Sequence, residues 1–486
     1  MHARHSDEEH LRKLGYEQQL HRRMTGFANY ALSLSIICVL AGGITSFAQG
    51  FCAIGGAAVG IGWPLWTLLA LAVAATMGQV ASAFPTAGGL YHWASILGGR
   101  GWGWTTAWFN LAGLIAVLAA INRGTVDFVA GYCGEKLSDS QAALAVALVT
   151  ISQGIINHRG IRLTSLLTSF SGWWILAIAA ALSVSMFACA GSLDVSRLWT
   201  ISNFSGDVGG GIIPNSESLT WLFLLAILLP AYTLTGFDAS AHVAEETIDA
   251  AVEAPRGIIR SVLVSGVFGW VMLIAVVLAM PSVPEAASKG GDAFAWTMKS
   301  VLPAWLAIAL FVGIAIAQYL CGLATVTSAS RMTFAFARDG GLPCSTVLAH
   351  VNSTFRTPIA AIWLVVALTA LLTAFAPYSV VAASCAVLLY ISYVLPTVLG
   401  AVAHGRHWTR MGPWHLGRWY RPLAVVAATG CVGLLFIGMQ PPNEMARWIV
   451  GGMFFSLLIG WWSFARWQFR GPPPQLMEQA RGGPSP

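Results

Sequence analysis

Thirteen residues near the middle of the chain, Pro230-Ala231-Tyr232-Thr233-Leu234-Thr235-Gly236-Phe237-Asp238-Ala239-Ser240-Ala241-His242, set reactive groups in an apolar run. The run begins near Leu219 and is long enough to cross a bilayer, yet it holds a glycine, a carboxylate, an imidazole and several hydroxyls. Hydrocarbon offers such groups no partner, so ionisable side chains and irregular backbone are tolerated at membrane depth only against protein or a water-filled cavity. An Asp in this setting therefore marks a candidate functional site. The simplest arrangement is a helix broken between Thr235 and Asp238, whose freed carbonyls and amides hold a ligand.

A second stretch of this kind is Ala41-Gly42-Gly43-Ile44-Thr45-Ser46-Phe47-Ala48-Gln49-Gly50, within the first apolar run. Glycine in a helix interior costs roughly 1 kcal/mol relative to alanine, so the tandem pair predicts a weak point. Close packing of small residues between membrane helices accounts for the same glycines without a break. The two stretches together say more than either alone. Each opens a group of five apolar runs, and because five is odd the second group enters the membrane from the opposite side. Interrupted hydrophobic segments at corresponding positions of inverted halves point to a transporter's midplane site.

The elements that must position these residues are helices. Of the 486 residues, 56% are hydrophobic and 9% charged, with 21 Trp and 23 Phe, which excludes an ordinary soluble fold. Apolar stretches of about 20 residues occur at 27–53, 60–84, 103–132, 140–157, 164–191, 218–243, 257–281, 302–336, 358–376, 379–403, 422–440 and 446–466. The fold class expected is an all-α polytopic membrane protein of twelve transmembrane helices. The net charge of +6 does not imply nucleic acid, because the basic residues fall in short pieces between apolar runs. With the N-terminus inside, 20 of the 26 Lys and Arg lie on the cytosolic side, 5 lie outside and Arg123 lies within the third run. That bias places both termini in the cytosol of a multi-pass protein of the cytoplasmic membrane. Met1 to Arg23 has neither an apolar core nor a cleavage site, so it reads as a cytosolic tail and not as a signal peptide. The layout expected is a tail over 1–26, a five-helix repeat over 27–191, an outer loop over 192–217, an inverted repeat over 218–403, two further helices within 404–466 and a disordered tail over 467–486.

Several residues outside the two breaks carry alternative readings. Arg123 and Asp127 are four apart on one helix face, either a structural ion pair or an outer gate. His242 is either a proton-coupling group beside Asp238 or a packed neutral imidazole. Thr327 and Ser328 either coordinate a cation against the first run or bond their own helix backbone. Pro85 and Gly88-Gly89 end the second run, and Leu90, Tyr91 and Trp93 suit a short helix against the bundle, as an inner gate or an interfacial turn. Glu245 and Glu246 are expected in a solvated loop. The eight cysteines lack the paired spacing of a zinc or redox site, and only Cys133 and Cys189 fall near helix ends on one expected side, where a disulfide is one alternative. No metal site, no cofactor motif, no H-E-x-x-H and no G-x-S-x-G occurs, which argues against an enzyme.

Ala83-Phe84-Pro85-Thr86-Ala87-Gly88-Gly89-Leu90-Tyr91, the run from Tyr232 to Thr247, Phe336-Ala337-Arg338-Asp339-Gly340 and Gly412-Pro413-Trp414-His415-Leu416-Gly417 carry a family resemblance over roughly residues 25–465. In these motifs the chain resembles the amino acid, polyamine and organocation (APC) transporter superfamily, and within it the amino acid/choline branch that includes GABA and choline permeases. The resemblance implies the leucine-transporter fold, a 5+5 inverted repeat with helices one and six broken and the substrate held between them. Two departures stand out. Gly42-Gly43-Ile44-Thr45 replaces the Gly-Ser-Gly-Ile-Gly form of many amino acid permeases, and Gln79 stands where relatives often have Glu. The fifth run also lacks the Lys that some proton-driven relatives carry.

The function expected is secondary import of a small amine-bearing solute, most readily an amino acid such as GABA, by alternating access. Amides of Gly42, Gly43, Ile44 and Thr45 at a helix start would meet a carboxylate, because that end carries partial positive charge. Carbonyls near Thr235 and Gly236, with the Asp238 carboxylate, would receive the ammonium, and Phe237 and Tyr232 would close over it. The partners expected are that solute, membrane lipid and a proton as candidate coupling ion for symport. The alternatives are a choline or polyamine carrier, an exchanger, or a nutrient sensor on the same scaffold.

Overall fold

The computed structural model describes residues 2–376 and 378–480. Among them all regular structure is helical, apart from isolated bridges between Met24 and Thr247 and between His404 and Trp408. After α1 (His2–Lys13), Thr25 caps α2 (Gly26–Ile37) by accepting the Ala28 N–H at 3.2 Å. The first apolar run resumes as α3 (Gly42–Thr45) and α4 (Phe47–Ile54). A proline in its first turn starts α5 (Trp63–Ala83) and Pro85 stops it. Then come α6 (Leu90–Gly98), α7 (Arg100–Cys133), α8 (Asp139–His158), entered through a capping box of Ser138 and Gln141, and α9 (Ile161–Cys189). The sixth run is divided into α10 (Leu219–Ala226), α11 (Leu228–Thr233) and α12 (Ala239–His242). Beyond it lie α13 (Ala250–Ala279), the short α14 (Val283–Ser288) and α15 (Ala293–Val301), and α16 (Ala304–Arg338). The chain continues through α17 (Ser345–Leu348), α18 (Ile359–Phe375), α19 (Tyr378–Ala403), α20 (Tyr420–Gly438), α21 (Met445–Gly460), α22 (Arg466–Gln468) and α23 (Pro474–Ala480).

Ten of the described helices are long and apolar enough to cross a membrane, against twelve apolar runs in the sequence. The sixth run falls short because its helix is interrupted, and the ninth because α18 has 17 residues. Burial separates centre from rim: the stretch Gly26–Thr45 is 89% buried and Met445–Gln468 only 11%, so the first run lies inside the bundle and α21 on its outer face. Around that centre α7 packs along α19 and α16, and α13 along α5 and α2.

Both ends of the chain meet at one end of the bundle. A strap over residues 14–24 buries Leu14 and Leu20, and the Tyr16 hydroxyl reaches His92 Nε2 and Asp339 Oδ2, both at 2.9 Å. The Arg338 guanidinium lies 3.8 Å from the Tyr16 ring centroid. Gln18 donates to the Glu245 carbonyl at 2.9 Å and Arg22 to those of Ala244 and Thr247. The expected disordered tail is corrected in part: residues 474–480 form α23, which packs on α6 and buries Leu476, because an apolar side chain finds a seat there. Residues 481–486 lie outside the described residues.

The acidic pair after the sixth run is also corrected, since Glu245 and Glu246 are fully buried. Each is gripped by an arginine of α16 at two points: Arg338 on Glu245 at 2.8 and 2.9 Å, and Arg331 on Glu246 at 3.0 and 3.2 Å. Burial pushes both carboxyls up. At Glu245 the charge and hydrogen bonds of Arg338 outweigh it and hold the group below its usual range, whereas at Glu246 burial prevails over Arg331. Removing one partner of such a pair strands a buried charge, at about 3–5 kcal/mol, whereas replacing both by apolar residues is far cheaper. Glu246→Gln is therefore expected to lower the melting temperature in detergent much more than the double change Glu246→Leu with Arg331→Met; a double variant as unstable as the single one would contradict this account.

Candidate functional site: two helix breaks around a small cavity

The first break falls one turn before the tandem glycines. Helical bonding in α2 ends where Cys38 N–H meets the Leu34 carbonyl, and Cys38 then leaves the helix at φ 18°, ψ 88°. Ala41 and Gly42 donate to the Cys38 carbonyl and Gly43 to that of Val39, so the amides of Gly42 and Gly43 are already engaged. Gly42 serves close approach, since a Cβ there would lie 2.9 Å from Thr233 Cα, whereas one on Gly43 would make ordinary contact with Met272 and Trp63. Helix α16 laces the open turn, with Gln318 Nε2 donating to the Leu40 carbonyl at 3.0 Å, Cys321 to that of Ile36 at 3.4 Å and Cys38 to that of Ala317 at 3.8 Å.

The second break lies at Leu234–Asp238, between α11 and α12. Gly236 takes φ 82°, a left-handed conformation that suits glycine, and a Cβ there would stand 2.3 Å from Ile36 Cγ2. Two tyrosines of α19 hold the freed backbone. Tyr390 donates to the Leu234 carbonyl at 3.1 Å, while Tyr393 accepts the Gly236 N–H at 2.9 Å and donates to Asp238 Oδ1 at 2.8 Å. From α2, Ser33 donates to the Phe237 carbonyl at 2.9 Å and accepts the Ser240 N–H at 2.9 Å.

Asp238 is fully enclosed, and its other oxygen is met by Asn110 Nδ2 at 2.9 Å and His242 Nε2 at 3.1 Å. The second ring nitrogen, His242 Nδ1, faces the Ala87 carbonyl at 3.2 Å. A carbonyl only accepts, so Nδ1 carries a proton. One further proton then lies between Nε2 and the carboxyl, giving either an imidazolium with a carboxylate or a neutral ring accepting from a protonated Asp238.

Between the breaks lies a cavity of about 10 Å³, room for about one water. Its walls include Ile36, Ala41, Gly42 and Thr45 from the first run, Tyr232, Thr233 and Thr235 from the sixth, Val117 and Ile121 of α7 and Cys321 of α16. None of the lining residues is charged. Thr45 and Thr235 spend their protons on the carbonyls of Ala41 and Tyr232, both at 2.9 Å, which leaves hydroxyl lone pairs as their remaining polar capacity.

Of the residues singled out from sequence, Gly42, Thr45, Tyr232 and Thr235 line this cavity. Gly236, Phe237 and Asp238 belong to the second break and Gly43 and Ile44 to α3 just past the first, but none is among its lining residues, and the Phe237 ring packs on Tyr393 with centroids 4.9 Å apart. Arg123 grips Asp127 at 3.0 Å and stands 3.7 Å from Asp139, so it forms a local ion-pair cluster at the α7–α8 end. Thr327 donates to Asn157 Oδ1 at 2.8 Å and to its own helix, whereas the buried Ser328 hydroxyl has no partner among the described residues. Cys133 and Cys189 are free thiols, so no disulfide joins them. Sequence reasoning passed over Asn110, Gln318, Tyr390 and Tyr393. The two tyrosines, three apart in an apolar run and so on one helix face, were a signal that could have exposed them.

The long apolar helices make this a multi-pass membrane protein. An amino acid permease family model matches residues 26–466, which is most of the chain. Among curated proteins, amino-acid permease BAT1 of Arabidopsis thaliana is 30% identical, over 96% of this chain and 96% of its own. The GABA-specific permease of Saccharomyces cerevisiae is 28% identical, over 89% and 77% respectively. A candidate polyamine transporter of Candida albicans is 25% identical, over 91% and 81%. The chain belongs to the amino acid permease family of the APC superfamily, and is a transporter of amino acids or related amines rather than an enzyme.

Gly236 supplies a test of the second break. Gly236→Ala adds a left-handed penalty of about 1–2 kcal/mol to the clash with Ile36. Its melting temperature should fall clearly below that of the parent, and Ile36→Ala placed on top should restore part of the loss while leaving the backbone term. A neutral Gly236→Ala would show that the backbone does not hold this geometry.

Proposed function

We propose that the protein imports a small zwitterionic amino acid, such as GABA, across the cytoplasmic membrane by alternating access. The observation that carries this reading is a cavity between two interrupted helices whose lining holds no charged side chain. A substrate of net charge zero can be met there by backbone and hydroxyl groups alone. Quaternary or doubly protonated amines would need a carboxylate, and the one nearby is already engaged by Tyr393, Asn110 and His242. In this reading the first break faces the substrate carboxylate, for which the amides of Gly42 and Gly43 exchange the carbonyls of Cys38 and Val39. The lone pairs of Thr45 and Thr235, with carbonyls at the second break, face the ammonium, and Tyr232 covers it. Admission requires the walls to part, since about 10 Å³ holds no amino acid.

The same reading completes the topology: twelve crossings, both termini in the cytosol, the leucine-transporter arrangement with inverted repeats over 27–191 and 218–403, and two peripheral helices after them. The single proton shared by Asp238 and His242 supports coupling to protons. Loading it neutralises a carboxylate that braces the second break, and releasing it restores the charge, so the break senses protonation directly.

Purified protein in liposomes tests both parts. Radiolabelled GABA should accumulate, faster under an inward proton gradient, while choline and putrescine should not; uptake of either cation without GABA would overturn the zwitterion assignment. Asp238→Asn should abolish gradient-driven accumulation while GABA counterflow across equal pH persists. Loss of counterflow through a raised KM would instead return Asp238 to the ammonium site.

A further inference from the structure

An apolar groove runs between α7 and α21 on the rim of the bundle, at the end where the chain termini meet. Its volume is about 280 Å³, and its walls include Gly101, Trp102 and Thr105 of α7, Leu457 and Leu458 of α21, and Trp461 just beyond. Gly101 lets the two sides come together, since a Cβ there would lie 3.3 Å from Trp461 Cζ2. Trp102 is exposed, as are Trp462 and Trp467 past the end of α21, and exposed Trp at helix ends marks the level of the membrane–water boundary. Three arginines gather there. Arg100 opens α7 directly before the groove wall and donates to the Phe469 carbonyl at 3.3 Å, which draws the segment after α22 against α7. Arg470 lies within that segment and is exposed. About one turn past Trp461, the Arg466 guanidinium lies 3.8 Å from the Trp467 ring centroid and 4.9 Å from that of Trp462. Its Nε is buried without a hydrogen-bond partner among the described residues. Arg331 and Arg338 in the interior each hold a carboxylate, whereas no carboxylate of the described residues pairs with Arg100, Arg466 or Arg470.

Arginine reaching for the interface and Trp settling in it account for each of these residues alone. Neither accounts for unpaired guanidiniums collected beside an apolar groove, one of them already held by two indole rings and so with little freedom left to lose on binding. A guanidinium presents a fork of donors that fits phosphate oxygens, and an apolar groove facing lipid is filled by an alkyl chain. An amphiphile with a negative head answers both. We propose that this groove is a binding site for one anionic phospholipid, with an acyl chain along Thr105, Leu457 and Leu458 and the phosphate against Arg100 and Arg466. Charge selects the occupant: the positive group of a zwitterionic phospholipid is repelled by the same arginines. A second copy of the chain seated here by two-fold symmetry would bring its own unpaired arginines to the seam. The site lies on the rim, away from the cavity between the two breaks, and is independent of which solute is carried.

Native mass spectrometry of the full-length protein in detergent tests this, with palmitoyl-oleoyl phosphatidylglycerol and the matching phosphatidylcholine as probes. One phosphatidylglycerol should stay bound at concentrations where phosphatidylcholine is shed, and excess glycerol phosphate should not displace it. Arg100→Gln combined with Arg466→Gln should weaken its retention roughly 25-fold, about fivefold for each arginine. Thr105→Trp, which fills the groove and leaves the arginines in place, should remove the tightly held lipid as well. Equal retention of the two lipids by the parent, or of phosphatidylglycerol by parent and double Gln variant, would overturn the site. Displacement by glycerol phosphate would reduce it to a phosphate site and sink the lipid assignment. A dimer of the parent that Thr105→Trp splits into monomers would give the groove to a second copy and likewise end the proposal. The headgroup comparison uses the unaltered protein, so the question stays decidable if Thr105→Trp fails to fold.

Discussion

Breaking a helix inside an apolar bundle strips backbone amides and carbonyls of their partners where no water can replace them. The way this protein satisfies those groups governs the arrangement of everything around them. Helix α19 sends Tyr390 and Tyr393 to the second break, α16 sends Gln318 and Cys321 to the first, where Cys38 in turn donates to the Ala317 carbonyl of α16, and Ser33 of α2 reaches the second break. Irregular backbone is thereby fixed along its flanks by named side chains. The small uncharged cavity sits where the two breaks face each other.

That scheme explains which parts of the site could be read from the sequence. The second break was legible because Gly236 and Asp238 interrupt an apolar run with residues that a plain spanning helix does not need. The first was displaced by one turn, since of the tandem glycines that drew attention to it Gly42 is there to let α3 approach Thr233, while the open turn is made by ordinary residues, Cys38 to Ala41. Asp238 read as a ligand group because a membrane carboxylate demands a partner. His242, four residues on, is a partner the sequence itself offers, but the other two, Asn110 and Tyr393, lie more than a hundred residues away in either direction, and no local pattern announces such a meeting. Helix positions follow from hydropathy, but these pairings depend on which helices lie side by side.

The same limit applies to the buried acids. Glu245 and Glu246 look solvated in a loop of polar residues, and only the return of α16 brings Arg331 and Arg338 against them. The two ends of the bundle are consequently built from different forces. At the end holding the chain termini, bidentate ion pairs and the Tyr16–His92–Asp339 cluster do the joining. Beyond the first break in the other direction, Phe51 stacks on Phe47 and Phe204, and Phe294 meets Phe47 edge-on. Apolar contact is non-directional and forgiving of small shifts, whereas a bidentate ion pair holds one geometry or none.

The strap of residues 14–24 adds a thermal dimension to this asymmetry. It is an extended segment fastened by a few side chains, Tyr16, Gln18 and Arg22 among them, together with the burial of Leu14 and Leu20. Each residue that comes loose regains about 1–2 kcal/mol of backbone entropy as TΔS near room temperature. Detachment therefore exchanges hydrogen-bond enthalpy for chain disorder, and warming favours the detached form. The strap is in this sense a temperature-weighted clasp on the end of the bundle it covers, and warming shortens the time it stays fastened.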